Sequence, residues 1–157
     1  MQSCVIETPL GHAKITGDSN GIAKVSIKGT TEELSEIIPE DLLDCVTQLK
    51  AYFAEELKDF DLKLNPRGTD FQKRVWQYLQ QIPFGKTCSY LELSKRLGDP
   101  KAIRAVANAN GKNPLWVIIP CHRVIGSDGS LTGYAGGLHR KQWLINHESE
   151  HKQQTLF

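Results

Sequence analysis

Ser89-Tyr90-Leu91-Glu92-Leu93-Ser94-Lys95-Arg96-Leu97-Gly98-Asp99-Pro100-Lys101-Ala102-Ile103-Arg104-Ala105-Val106 reads as two short helices joined across one glycine. Ser89-x-x-Glu92 is a capping box, in which the serine hydroxyl and the glutamate carboxylate satisfy backbone N–H groups reciprocally. The helix it opens is expected to turn Leu91 and Leu97 inward, and Gly98 ends it. Asp99 caps the second helix, and Pro100 takes its first position, where a missing N–H costs nothing. That helix is expected to run through Ile103 and Val106 and stop near Gly111. Two helices so joined make a helix-turn-helix, although the pattern alone also fits an ordinary pair of core helices. The second helix carries Ala102, Ala105, Ala107 and Ala109 on a side read as exposed, with Arg104 as its long basic residue. Such a helix suits close approach to a groove and suits reading many base edges poorly.

Downstream, Val117-Ile118-Ile119 favours burial, and Pro120-Cys121-His122-Arg123-Val124 follows. Pro120 lacks an N–H and drives Ile119 toward an extended conformation. A short buried segment is therefore expected to stop abruptly and present Cys121 at the floor of a cavity. A thiol becomes a strong nucleophile once deprotonated, and its usual activator is a histidine within hydrogen-bond reach. Neighbouring side chains diverge, so a tight turn or a bridging water is needed to join them; a buried, inert thiol is the alternative. Residues 126–137 form a loop whose glycines permit close backbone approach to a ligand. A final helix over Leu138–Glu148 is expected to carry Trp143 and Leu144 as core residues, and the tail from Ser149 is polar.

Upstream, Pro66-Arg67-Gly68 reads as a linker. Thr69 caps a helix through Gln80 or Gln81 with Phe71, Val75, Trp76 and Leu79 on its buried side, and Pro83-Phe84-Gly85-Lys86 is a turn. Residues 1–65 read as a small α/β domain with an antiparallel sheet. Cys4-Val5-Ile6-Glu7, His12–Thr16 and Ile22–Ile27 are strand-like, with Asn20-Gly21 marking a hairpin. Pro39 starts a helix striped by Leu42, Val46, Leu49, Phe53 and Leu57, and Phe60–Asn65 is a further candidate strand. The expected fold is thus α+β, with a domain over 1–65 and a mostly helical domain over 66–157 that contains a (winged) helix-turn-helix.

The chain has 157 residues and a formal net charge of +1, unevenly placed. Residues 1–64 hold 6 Lys/Arg against 12 Asp/Glu, whereas residues 65–145 hold 12 against 4. The basic half points to a polyanionic partner. Cys4, Cys45, Cys88 and Cys121 form no C-x-x-C pair, and with His12 they match no zinc spacing, so no metal site is expected. Cysteine usage fits a reducing, cytoplasmic compartment, and neither a signal peptide nor a transmembrane run is expected.

Pro120-Cys121-His122-Arg123-Val124 resembles the active-site motif of the O6-alkylguanine-DNA alkyltransferases. Phe71-Gln72-x-x-Val75-Trp76, Pro83-Phe84-Gly85-Lys86-Thr87, Ser89-Tyr90, Arg104-Ala105-Val106, Asn113-Pro114 and Tyr134-x-Gly136-Gly137-Leu138 extend the likeness over roughly residues 66–148. In residues 1–65 it rests on architecture and on Thr8-Pro9-Leu10-Gly11. The resemblance implies a helix-turn-helix in the minor groove of double-stranded DNA and a damaged guanine flipped into the site. It also implies irreversible, single-turnover transfer of an alkyl group from O6 of guanine, and from O4 of thymine, to Cys121, without a cofactor. By the same resemblance Tyr90 is the general acid and His122 the base, linked through water to the thiol. Glu148 orients His122, and Asn113 joins the network. Arg104 fills the vacated base stack, and Ala102, Ala105, Ser89, Tyr90 and Arg123 are implied DNA contacts. Trp116, Tyr134, Ala135 and Gly136 are implied to line the substrate pocket. Trp116 stands where many relatives carry a smaller residue and is expected to narrow the wall. Ala135 stands where a hydroxyl residue often bonds the base, so recognition there rests on backbone N–H groups or is weaker. The protein is expected to act as a monomer away from membranes. A lesion-binding signalling protein, a transcription regulator and a Cys-His hydrolase are the alternatives. Cys121 opposes the first, since such relatives usually have Trp there, and the alanine-rich helix face opposes the second.

Overall fold

The computed structural model describes residues 1–27, 29, 31–129, 134 and 137–149. The described residues divide into two compact units, one of Met1–Arg67 with Pro114–Ile118, the other of Gly68–Asn113 with the described residues from Ile119 onward.

In the first unit, β1 (Gln2–Thr8), β2 (Gly11–Asp18) and β3 (Gly21–Ser26) form an antiparallel sheet in the order β1-β2-β3. The turn between β1 and β2 is tied by the Thr8 hydroxyl, which donates to the Gly11 carbonyl at 2.7 Å. At the expected hairpin, Asp18 accepts from the Asn20 N–H at 2.8 Å. Gly21 there has φ +130°, and a Cβ on it would lie 2.9 Å from the Lys63 carbonyl oxygen, so only glycine fits. Helix α1 (Glu40–Phe53) follows Pro39 and buries Leu42, Cys45, Val46, Leu49 and Tyr52, at the three- and four-residue spacing of one helical face. The candidate strand over residues 60–65 reduces to a parallel bridge between Ile22 and Leu64.

Pro114–Ile118, read from sequence as part of the second domain, belongs to this first unit. The Val25 N–H donates to the Pro114 carbonyl at 2.9 Å, and the Trp116 N–H donates to the Val25 carbonyl at 3.2 Å. These bonds extend β3 with a segment nearly ninety residues away in sequence, a pairing no local pattern announces. Val117 then turns with φ +70°, an unusual conformation for a β-branched residue.

The second unit is mostly helical. Thr69 and Gln72 form a capping box for α2 (Asp70–Leu79), which buries Val75, Trp76 and Leu79. The Trp76 indole donates to the Ala109 carbonyl at 2.9 Å and ties α2 to α4 (Ile103–Gly111). Ser89 and Glu92 form the expected box at the start of α3 (Tyr90–Arg96). Its inward residues are Tyr90, Leu93 and Ser94, whereas Leu91 and Leu97 are half-buried. The seven-residue helix is under two turns long, so it presents one narrow face, and the start set by Ser89 places Tyr90 and Leu93 there. Gly98 has φ +92°. Asp99 accepts from the Lys101 N–H at 3.0 Å, and Pro100–Ala102 forms a 3-10 turn before α4 begins. Two-residue strands β4 (Cys88–Ser89) and β5 (Val124–Ile125) pair in parallel, with Cys88 opposite Val124. Helix α5 (Leu138–Glu148) completes the described part. No helix among the described residues is long and apolar enough to cross a membrane.

Candidate active site

Pro120 ends the apolar run in a tight turn, with φ −80°, ψ 63° and the Cys121 N–H donating to the Ile119 carbonyl at 2.8 Å. Cys121–Arg123 then forms a 3-10 turn, and all three side chains are buried. Successive residues of such a turn point about 120° apart. The thiol and the imidazole therefore diverge, and a proton passing between them needs a relay. The β4–β5 pair puts Ser89 opposite Ile125, which brings the start of α3 beside the Cys-His-Arg turn.

His122 is wholly buried, and its Nε2 lies 2.8 Å from Glu148 Oε2. With Nε2–H donating to the carboxylate, Nδ1 carries the lone pair; it is buried without a hydrogen-bond partner among the described residues. Burial holds the His122 pKa below its ordinary value against the opposing pull of Glu148. The imidazole is thus neutral at neutral pH and able to accept a proton. Arg123 grips the same carboxylate, with Nε at 2.7 Å from Oε1 and Nη2 at 3.0 Å from Oε2, while Nη1 donates to the Ile82 carbonyl. Burial alone would push the Glu148 carboxyl up, but the bonds and charges of His122 and Arg123 outweigh it and hold the carboxyl well below the usual range.

Cys121 is 6% exposed, and burial pushes its thiol above the ordinary value. Asn113, the Lys141 charge, the backbone and Tyr134 oppose that rise, in that order. The resting sulfur is consequently a thiol, and its deprotonation belongs to the moment of attack. Asn113 also donates to the Ile119 carbonyl at 2.8 Å, which fixes the segment leading to the cysteine.

The structure gathers Cys121, His122, Glu148, Asn113, Tyr134 and Tyr90 into the second unit, Tyr90 being 8% exposed. Arg104 and Ala105 are exposed on α4, with Ala102 half-buried at its start. Ser89 is half-buried and its hydroxyl is used as the helix cap. Arg123, implied as a DNA contact, is instead buried at 7% exposure and committed to Glu148 and Ile82, so it is a structural cation. Ala109, read as part of the smooth exposed face, is buried against α2. Trp116 is buried in the first unit, its ring 5.9 Å from that of Phe53. Ala135, Gly136, Gly133 and most of the polar tail lie outside the described residues.

Two site residues escaped the sequence reading. Asn110 is 1% exposed and its Nδ2 donates to the Cys121 carbonyl at 3.4 Å. Lys141 is wholly buried on α5, on one stripe with Leu144 and Glu148. The three- and four-residue spacing of that stripe was the available signal, but an apolarity reading chose Trp143, which is half-buried and stacked on His147 at 4.8 Å.

Fold and site together define a class: a helix-turn-helix protein with a buried thiol backed by an imidazole–carboxylate pair. Residues 2–66 match the family model described as "6-O-methylguanine DNA methyltransferase, ribonuclease-like domain", and residues 70–150 the one described as "6-O-methylguanine DNA methyltransferase, DNA binding domain". The methylated-DNA–protein-cysteine methyltransferase of Methanosarcina acetivorans is 44% identical over 94% of this chain and 98% of its own length. That of Mycobacterium bovis is 46% identical over 91% and 89%. The crystal structure of Mycobacterium tuberculosis OGT in complex with DNA superposes with a TM-score of 0.86 at 44% identity, over 94% of this chain and 93% of that one. The chain belongs to the 6-O-methylguanine DNA methyltransferase family.

Proposed function

We propose that this protein repairs alkylated DNA directly, by moving an alkyl group from O6 of guanine to the sulfur of Cys121. The observation that carries the assignment is the buried His122–Glu148 bond next in the chain to the buried Cys121. The thiol proton passes to His122 Nδ1 through a bridging water. The sulfur attacks the alkyl carbon, an S–C bond forms and the C–O6 bond breaks. Tyr90 protonates the departing guanine, so that no free base anion is expelled. The product is a thioether, which water does not cleave, and each molecule therefore acts once.

The target carbon is out of reach while the base is stacked, so the guanine must leave the helix, at a cost of about a few kcal/mol. Exposed Arg104, on a helix face of small residues, enters the minor groove and occupies the gap. The same chemistry extends to O4 of thymine, and the protein acts in the cytoplasm as a monomer on DNA. A protein that only signals the lesion would not need the thiol.

Mass spectrometry after incubation with excess O6-methylguanine duplex tests this. One added methyl on Cys121 and no further turnover are expected, whereas repeated turnover would refute the mechanism. The Cys121→Ser variant should bind the duplex and transfer nothing. Persistent transfer would place the acceptor on another cysteine.

A further inference from the structure

Asn110 is 1% exposed near the end of α4, on the buried face with Val106 and Ala109. Asparagine is a poor helix former, and a leucine would suit that face better. The Asn110 Nδ2 donates to the Cys121 carbonyl at 3.4 Å. A carbonyl only accepts, so this bond fixes which end of the amide meets the turn and directs Oδ1 elsewhere. Oδ1 is buried and has no hydrogen-bond partner among the described residues. His122 Nδ1 is in the same condition, while its Nε2 is held by Glu148 at 2.8 Å. The carbonyl that receives the Asn110 amide belongs to the peptide bond joining Cys121 to His122. Both orphaned acceptors therefore lie about one 3-10 turn, the turn that carries the sulfur. A buried acceptor without a donor destabilises a fold, and such groups are ordinarily met by an enclosed water. Neither packing nor helix propensity accounts for an asparagine at this position.

We propose that Asn110 is a positioning residue of the transfer site, whose Oδ1 joins His122 Nδ1 in holding the water that relays the Cys121 proton. This deepens, and rests on, the assignment of Cys121 as acceptor. A water has two O–H bonds to give, and these two acceptors take them, leaving its lone pairs for the thiol. As the sulfur attacks, the S–H proton passes to the water oxygen and the O–H proton on the imidazole side passes to Nδ1. The water is regenerated, and no further reactant enters. Its bond to Asn110 is kept throughout and holds the oxygen toward the sulfur. Asn110 lies on the same helix as Arg104, so one rigid element carries both the proposed DNA contact and the proton path.

Three measurements on the full-length protein test it. A high-resolution crystal structure should show an ordered water within about 3.2 Å of both Asn110 Oδ1 and His122 Nδ1. In Asn110→Leu, single-turnover benzyl transfer from free O6-benzylguanine should fall at least about tenfold, as expected when a proton path is weakened. Duplex affinity should hold, and the thermal midpoint should stay level or rise. The 15N resonance of His122 Nδ1 should move downfield in the same variant, because the nitrogen loses its hydrogen bond. An asparagine that merely fills the buried face of α4 would lower the midpoint and leave transfer and the His122 resonance unmoved, which would overturn the proposal. Should Asn110→Leu fail to fold, the crystal water decides alone, and no water shared by the two atoms overturns it. Failure of the unsubstituted protein to take up a benzyl group on Cys121 would strike the acceptor assignment instead. The shared water and the His122 resonance would still judge the part of Asn110.

Discussion

Glu148 accepts from His122 and, through both its oxygens, from Arg123, at 3% exposure. Such a group resists replacement, because removing the carboxylate leaves a guanidinium buried without its counter-charge. Glu148→Gln is expected to cost about 3 kcal/mol, within the range for breaking a buried pair, measured as a lower urea midpoint at pH 7. The pH dependence follows from the two shifts. Both His122 and Glu148 have folded-state pKa values below their unfolded values. In each case the unfolded chain binds the proton more readily, so the stabilisation is present above the unfolded pKa and is lost as pH falls. Stability should therefore decline below about pH 6.5 as His122 contributes and again below about pH 4.3 as Glu148 does. Glu148→Gln should remove the lower step. Urea midpoints that stay flat from pH 7 to pH 3.5 would contradict the buried network. Lys141 and Asn110 show why such residues stay silent in a sequence: a lysine is ordinarily a surface residue, and only the packed neighbours reveal that this one is enclosed.

At the scale of elements, α4 exposes Arg104 and Ala105, with Ala102 half-buried at its start, and this is the face that the proposed function sends into the groove. Arg104→Ala should slow repair in duplex DNA at least tenfold more than attack on free O6-benzylguanine, compared by single-turnover rates. Equal losses on both substrates would remove its role in base extrusion. The helix starts carry their own prediction. Thr69 closes a capping box with Gln72, and Thr69→Ala should lower stability by about 1 kcal/mol, read from the urea midpoint without change in transfer rate. The capping boxes at Thr69 and Ser89 were legible because each is a local exchange of hydrogen bonds over three residues. The faces of α3 and α5 were less so. In α3 the inward leucine is Leu93 rather than Leu91, and in α5 the charged Lys141 and Glu148 are buried while Trp143, which apolarity assigned to the core, is half-buried. A short helix gives too few turns for the periodicity to choose a face.

For the whole molecule, the basic surplus of residues 65–145 against the acidic first 64 predicts where salt acts. Each phosphate contact released adds about 0.9 to the slope of log affinity on log salt. Duplex binding, followed by fluorescence anisotropy between 50 and about 300 mM salt, should weaken with a slope of several units in magnitude and equally for lesion-free DNA. A slope near zero would exclude phosphate contacts as the source of affinity. The chain by itself determined the two capped helices that meet at Gly98, the hairpin of the first unit, and the cysteine at the end of an apolar run, because caps, turns and proline effects act over a few residues. Only the tertiary structure decided that Pro114–Ile118 extends β3, that Arg123 is interior rather than DNA-facing, and that Lys141 is enclosed. Those outcomes depend on which distant groups meet, and a buried charge is tolerable only where the fold supplies its counter-charge.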